Sequence, residues 1–418
     1  MHEPPAGWAR RSLGDVAEEC TGRNSENLSP DNVFGVFKGQ GLRPMKDRVR
    51  ADKLDRYKHV QGGWFAFNPM RINIGSIARN NRTAPVLVSP DYVVFRCREE
   101  LIAPDFLDHV RAGADWTRFV ENAGQGSVRV RIYFDDLARM PLLLPPLAEQ
   151  RKIAAILSSV DETIEKTEGV IAQLDVVKKA MLEELLTRGI PGRHSRFKQT
   201  EVGPIPMEWG AATYGELAAD LPAAIQSGPF GSELKHSEFQ ANGKLVVGID
   251  NVLDGRFSLG ANHRISEAKF ESLRRFQARP GDLLITVMAT VGRCCVVPED
   301  LEPAIITKHV YRLSVDRKKA NPYFLLQCLY GIRQLADQVR GSAQGLTRPG
   351  LNKSLLLPLL FPIPPLAEQG EIVAIARSLD ERSAAEQMVL AQLRLLKEGL
   401  AQRLLSGEQR VRYEVGIA

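Results

Sequence analysis

Cysteine is scarce in this chain of 418 residues: Cys20, Cys97, Cys294, Cys295 and Cys328 are all there are. The number is odd and the spacing matches no metal-ligand pattern, since Cys294 and Cys295 are adjacent and no histidine pair follows. That excludes a disulfide framework and a structural zinc site, and it predicts a reducing compartment. No window approaches the roughly 18 uncharged apolar residues of a membrane helix. The opening MHEPPAGWARR has no apolar segment of a secretory leader. A cytoplasmic protein without membrane contact is therefore expected. A large excess of one charge is also lacking, with 55 basic against 50 acidic residues and a net +5. This is a mild lean toward a polyanionic partner.

Catalytic signatures are missing as well. There is no G-x-x-x-x-G-K-[ST]; Gly228–Lys235 is glycine-rich but lacks the Gly-Lys-Ser/Thr end. No G-x-G-x-x-G opens a helix after a strand, and no H-E-x-x-H or G-x-S-x-G is present. Asn321-Pro322-Tyr323-Phe324 is similar to the amide–proline–aromatic motif of amino-methyltransferases, but no glycine-rich cofactor loop accompanies it. Its plainer meaning is a helix start with proline at the first position. No catalytic residue and no metal ligand is assigned.

What is present is an ordinary folding composition, 44% apolar and 25% charged, long enough for two or three domains. The chain also repeats itself. The hexapeptide PPLAEQ occurs at Pro145–Gln150 and again at Pro364–Gln369, an offset of 219. The offset holds upstream, where Gly126 and Arg129 match Gly345 and Arg348. It also holds downstream, where Asp161, Leu174, Lys178 and Leu185 match Asp380, Leu393, Lys397 and Leu404. Each half opens alike, with Trp8 and Gly14 spaced as Trp209 and Gly215. The chain thus reads as a duplicated unit of globular lobe followed by helix.

After each hexapeptide, apolar residues alternate at spacings of four and three. The first run is Ile153, Leu157, Val160, Ile164, Ile171, Leu174, Met181 and Leu185. The second is Ile372, Ala376, Leu379, Leu390, Leu393, Leu400 and Leu404. Thr167 and Lys178 fill the gaps in the first, and Ser383, Glu386 and Lys397 those in the second. A seam sustained over about five heptads predicts a coiled coil. Each helix would stop at glycine, Gly189 and Gly407. The boundaries expected are a lobe over 1–144, a helix over 145–190, a linker and second lobe over 191–363, a helix over 364–408 and a tail over 409–418. The lobes carry a net +8 and the helices −3, so a polyanion would meet the lobes.

Within the lobes, short strands are expected at Val33–Phe37, Trp64–Phe67, Val86–Ser89 and Tyr92–Cys97, with a helix from Pro104 to Asn122. The second lobe should have strands at Leu245–Ile249, Asp282–Met288, Cys294–Val297 and Val310–Val315, and a helix over Pro322–Arg340. This is an α+β class. Basic and amide side chains that suit phosphates and purine edges are Lys38, Lys46, Arg48, Arg71, Asn73, Arg79, Asn80, Arg82 and Arg129. In the second half they are Ser232, Lys235, His236, Arg264, Thr290, Arg293, Lys308, His309 and Arg348.

The order lobe, PPLAEQ helix, lobe, PPLAEQ helix resembles the specificity subunit of type I restriction–modification systems. The matching segments are the two helix entries, the junction LLTRGI…KQTEVGPIPMEW (Leu185–Trp209), SGPFGSEL (Ser227–Leu234), GDLLITVMATVGR (Gly281–Arg293) and RPGLNKSLLL (Arg348–Leu357). WFAFNPMRINIGSIA (Trp64–Ala78) and SPDYVVF (Ser89–Phe95) look like a variant of the family's target recognition domains. The resemblance implies a non-catalytic DNA reader. Its two target recognition domains would each contact one half of a split, asymmetric double-stranded target, and its two helices would form an antiparallel coiled coil with pseudo-twofold symmetry. It also implies partners: two methyltransferase subunits that bind S-adenosylmethionine, and possible restriction subunits that use ATP and Mg. A competing expectation is a coiled-coil adaptor whose lobes bind another polyanion such as RNA.

Overall fold

The computed structural model describes residues 3–25, 28–45, 54–123, 131–260, 262–341 and 351–412. The chain divides into two compact units, Met1–Gly169 with Met388–Ala418, and Val170–Gln387. Each unit combines one lobe, half of the long helix that follows it, and half of the other long helix. The first long helix runs Leu147–Arg188 and the second Leu366–Leu405.

The seam is visible in the exposure of successive residues. In the first helix Ile153, Leu157, Val160, Ile164, Thr167, Ile171, Leu174, Lys178 and Leu185 are buried or half-buried. In the second the run is Ile372, Ala376, Leu379, Ser383, Glu386, Leu390, Leu393, Lys397, Leu400 and Leu404. The polar gaps therefore belong to the stripe. Met181 does not: it is 39% exposed, and Leu182 is buried in its place. The cause is a change of neighbour. Here the helix packs on Gly331 of the second lobe, where a Cβ would lie 2.5 Å from Leu186 Cδ1 and 3.6 Å from Leu182 Cβ.

Both units pair the helices antiparallel. In the first, Lys397 Nζ lies 2.5 Å from Asp161 Oδ1 and Arg394 Nη2 2.6 Å from Glu168 Oε1. In the second, Lys178 pairs with Asp380, while Leu182 and Leu185 share a core with Ile372 and Ala376. The two Lys–Asp pairs are the same pair at the repeat offset. Each lysine runs its alkyl stem along the seam and carries its charge to the edge.

The lobes share one topology. In the first, a four-stranded sheet has the order Ala17–Glu19, Val93–Cys97, Phe65–Phe67, Ile77–Arg79. In the second the order is Ile225–Ser227, Val310–Leu313, Leu283–Thr286, Cys294–Val296. All neighbours in both are antiparallel. The registers coincide, since Phe65 faces Phe95 and Phe67 faces Val93, as Leu283 faces Leu313 and Ile285 faces Tyr311. A second layer repeats too. Lys244–Val247 runs parallel to Ala304–Ile306 with an antiparallel strand on each side. In the first lobe Phe34–Phe37 and Val86–Val88 are joined by the parallel bridge Val33–Leu87, with Gly41–Pro44 and Lys58–Val60 outside. Alternating apolar residues supply the inner faces. Phe65 and Phe95 are fully buried and stack at 5.0 Å and 7°. The helix expected after the strands is broken in each lobe into two, Pro104–Val110 with Ala114–Ala123, and Pro322–Gly331 with Arg333–Gly341. Asn321 caps its helix by accepting from Tyr323 N at 2.9 Å, with Pro322 in the first turn.

The repeated hexapeptide is a joint. Glu149 is fully buried and accepts from Trp8 Nε1 at 3.3 Å, from Arg410 Nε and Nη2 at 2.8 Å each, and from Val411 N at 3.3 Å. Glu368 is 3% exposed and accepts from Trp209 Nε1 at 3.2 Å and Ile190 N at 3.4 Å, with His194 Nε2 at 2.8 Å. The next residue fixes the lobe. Gln150 accepts from Ala103 N at 2.9 Å and donates to Leu101 O and Pro145 O. Gln369 accepts from Asn321 N at 2.7 Å and donates to Pro364 O. The tryptophan that opens each half is thus explained: the buried carboxylate needs donors, and the indole N–H is one of them. The helices end as expected at Gly189 and Gly407, whose φ values of +79° and +75° are strained for a side chain. Both also lie in the joints, where a Cβ would come within 2.6 Å of His194 and Pro5 respectively.

Candidate nucleic-acid interface

Strand order determines which loops can meet. The connection Asn68–Ser76 leaves the C-terminal end of Phe65–Phe67, which is the N-terminal end of its antiparallel neighbour Val93–Cys97. The hairpin tip after Phe34–Phe37 reaches the same edge: Ser76 Oγ donates to Val36 O at 3.4 Å, and the Lys38 stem covers Gly75. Lys38, Arg71 and Asn73 are therefore brought together and are all exposed. The short helical turn Ile72–Ile74 holds the loop, closed by Gly75 at φ +90°.

The second lobe builds the same edge. Val287 N donates to His309 O at 3.0 Å, placing the Val287–Arg293 connection beside the turn of Lys308 and His309. Gly228 packs on this turn so closely that a Cβ would lie 2.3 Å from Ile306 O. That anchors the segment leading to Ser232 and to Phe230, which is 60% exposed. Lys308 is exposed, and Thr290 and His309 are half-buried. Burial, and then the neighbouring Lys308 charge, lowers the His309 pKa below the usual histidine range. An uncharged imidazole there offers directional hydrogen bonding to a base edge or phosphate. Ala289 takes φ +62° at the loop tip, a strained conformation of the kind found at binding sites.

Other expected contacts are committed elsewhere. Asn80 is 1% exposed; its amide donates to Val60 O at 3.0 Å and Ala84 O at 3.1 Å and accepts from Arg82 N. It holds a turn and cannot reach a base. Arg79 is held by Asp105 at 2.5 Å and Asp108 at 3.3 Å, tying the sheet to the helix Pro104–Val110. Arg264 is bidentate to Glu302 at 2.6 and 3.1 Å and also donates to Gly243 O. In all three, carboxylates or carbonyls within the fold take up donors. Arg82 is exposed with its guanidinium 4.8 Å over the Phe34 ring. Arg293 lies 3.8 Å from Asp254. Lys235 and His236 are exposed, with the His236 ring 5.2 Å from Phe239. Lys46, Arg48, Arg129 and Arg348 lie outside the described residues.

Exposed apolar side chains on these edges were not anticipated: Met70 at 51%, Ile74 at 55% and Met288 at 45%. No sequence signal marked them, and the strand expected over Asp282–Met288 included Met288 itself. Among the described residues no cluster of His, Cys, Asp or Glu is arranged to hold a metal ion, and no helix is long and apolar enough to cross a membrane.

Two lobes of one topology, carrying different polar loops and joined through paired helices, define a two-headed recognition protein. The family model of the type I restriction modification DNA specificity domain matches residues 59–176 and 233–395. The type I restriction enzyme MjaVIII specificity subunit of Methanocaldococcus jannaschii is 29% identical over 64% of this chain and 62% of its own length. The putative MjaX specificity subunit of the same organism is 27% identical over 98% of this chain and 95% of its own. The EcoBI specificity subunit of Escherichia coli is 25% identical over 96% and 86%. The solved type I S subunit from M. genitalium shares the fold with a TM-score of 0.57 at 14% identity, over 95% of this chain and 96% of that one. A chain from a study of type I complex assembly and conformational transition gives 0.57 at 20% identity, over 98% and 100%. The chain belongs to the type I restriction modification DNA specificity family: it is a recognition subunit rather than an enzyme.

Proposed function

We propose that each lobe reads one half of a bipartite, asymmetric DNA target through the loops gathered at its sheet edge. Lys38, Arg71 and Asn73 act in the first lobe, and Ser232, Lys308 and His309 in the second. The observation that carries this is the matched register of the two edges with different polar side chains on each. Lysine and arginine supply salt-dependent phosphate attraction, and amide, hydroxyl and imidazole groups supply base identity at about 1–3 kcal/mol per good contact.

Two methyltransferase subunits dock on the long helices. Supporting this, Val170, Val176 and Val177 of the first helix and Val389, Leu395 and Leu396 of the second are exposed. They occupy equivalent repeat positions, so the chain offers one apolar stripe twice. S-adenosylmethionine then belongs to those partners, and ATP and Mg to restriction subunits where the system has them. The site of action is the cytoplasm, where the DNA is.

The test is long-read methylome sequencing of a methylation-free host expressing this chain with its neighbouring methyltransferase. The expected result is adenine methylation in both halves of an asymmetric bipartite motif. No new methylation from a soluble, associated complex overturns the reading and favours the adaptor alternative.

A further inference from the structure

Three separate segments of the second lobe bring one carboxylate and two guanidiniums together. Asp254 sits at the tip of the hairpin between Val252–Leu253 and Arg256–Phe257. Arg293 ends the Val287–Arg293 connection, and Arg340 lies in the last turn of the helix Arg333–Gly341. Arg293 Nε is 3.8 Å from Asp254 Oδ2, and Arg340 Nη2 is 3.4 Å from Oδ1. The cluster adjoins the candidate DNA edge. Thr286 N donates to Arg293 O at 2.9 Å, and the next residue, Val287, donates to His309 O at 3.0 Å. The Arg340 stem packs on Gly292, where a Cβ would lie 3.0 Å from its Cγ, and its guanidinium stands 4.9 Å over the Tyr330 ring. The Tyr330 hydroxyl accepts from Cys294 N at 2.8 Å and lies 3.2 Å from Asp254 Oδ1, which steadies the carboxylate too. The charges are thus held in place, yet they are loosely paired. Arg79 and Arg264 approach their carboxylates to 2.5 and 2.6 Å, whereas these two stop beyond the roughly 2.7–2.9 Å of a tight charge-assisted bond. Each guanidinium has five N–H donors, and the three side chains keep 39–62% of their surface exposed. Exposed pairs of this kind contribute little to stability, so stability does not account for two ordered cations around one anion.

We propose that Arg293 and Arg340 clamp a backbone phosphate of the second half-site, and that Asp254 holds the clamp in the free protein and yields it to the phosphate. This deepens the function proposed above and rests on it. A phosphodiester presents one negative charge on two free oxygens, as the carboxylate does, and guanidinium forks match both. Donors already ordered by Gly292 and Tyr330 lose less side-chain freedom when DNA arrives. The contact fixes the lobe on the duplex and carries no sequence information. The Asp254 charge repels every duplex alike, so it restrains binding to DNA that offers the lobe nothing else.

The complex with the methyltransferase is titrated by fluorescence anisotropy, over a range of salt, against duplexes with and without its methylated motif. The double variant Arg293→Gln, Arg340→Gln should reduce the slope of log affinity against log salt by about 1, on both kinds of duplex. The double variant Arg293→Lys, Arg340→Lys keeps the charges and should keep the slope. Asp254→Asn retains an oxygen for Tyr330 and removes the repulsion, so affinity should rise about fivefold for either duplex. The proposal is overturned by an unchanged slope in the glutamine variant, by a slope lost equally in the lysine variant, or by a loss confined to duplexes with the motif. It is overturned as well if Asp254→Asn leaves affinity unchanged or weakens it. A complex that binds its bipartite target with an unaltered slope sinks this inference alone; one that binds no bipartite target sinks the proposed function with it.

Discussion

At the sheet edge of the first lobe stand Lys38, Arg71 and Asn73; at the corresponding edge of the second stand Ala289, Lys308 and His309. Beneath both edges the strand order and register are the same. The two lobes therefore vary where side chains point out of the strand ends and agree where they point into a core. Packing constrains the inner face to apolar residues of the right volume, whereas a loop that closes on itself tolerates replacement. The joints show a milder version of the same contrast. Both bury a glutamate under a tryptophan, but Arg410 closes the first and His194 the second.

The comparison breaks most sharply if one lobe is emptied. Phe95→Ala removes a fully buried ring from the first lobe and should cost about 3–5 kcal/mol. Hydrogen exchange should rise in the first unit alone; a matching rise over residues 170–387 would mean that the lobes do not fold as separate modules. Arg410→Ala should cost about 2 kcal/mol, since it withdraws two charge-assisted bonds from a buried carboxylate. The partner substitution His194→Ala should cost less, because it withdraws one bond from Glu368 where Arg410 gives Glu149 two. Urea melts followed by tryptophan fluorescence rank the two.

Acid separates the units further. Burial alone raises the Glu149 pKa, but Arg410, the Val411 amide and the Trp8 indole outweigh it and hold the carboxyl below its ordinary 4.5. A folded pKa below the unfolded one means that this contribution is complete above about pH 4.5 and is lost as pH falls through the lower, folded value. The Trp8 environment should loosen on acidification below pH 4.5, and Glu149→Gln should flatten that response. A smaller effect sharpens the interface. Arg79→Ala should lower stability by about 1 kcal/mol and leave the methylated motif unchanged, because its donors are spent on Asp105 and Asp108. A relaxed motif would return Arg79 to the DNA. Smallest of all, Asp161→Asn and Asp380→Asn should each cost under about 1 kcal/mol, alike and less so in high salt.

The sequence made the long helices legible because a heptad stripe is a local, repeated signal. Even its polar gaps, Thr167 and Lys397, turned out to lie on the stripe. The eight strands expected in the lobes lie within a residue or two of observed ones, but Ala17–Glu19, Ile77–Arg79, Ile225–Ser227 and Ala304–Ile306, which complete the sheets, were not read, being too short to show a period. Met181 failed because the helix changes partners there, and neighbours are not written in periodicity. Arg79, Asn80 and Arg264 bond within their own lobes, which the sequence does not show, because a basic or amide side chain looks alike whether it faces a phosphate or a carboxylate of its own fold. The hexapeptide repeat was plain, but its meaning needed Trp8, Arg410 and Ala103, which lie up to 261 residues away.

Among the described residues, Gln150 and Gln369 grip their lobes through main-chain atoms, Ala103 N, Leu101 O and Asn321 N. Any polypeptide offers those atoms in the right place once it presents the same turn. The lobe is in this sense a cassette held by a fitting that does not inspect its contents. A different lobe set between the tryptophan and the hexapeptide keeps the same mount as long as its main chain meets the glutamine.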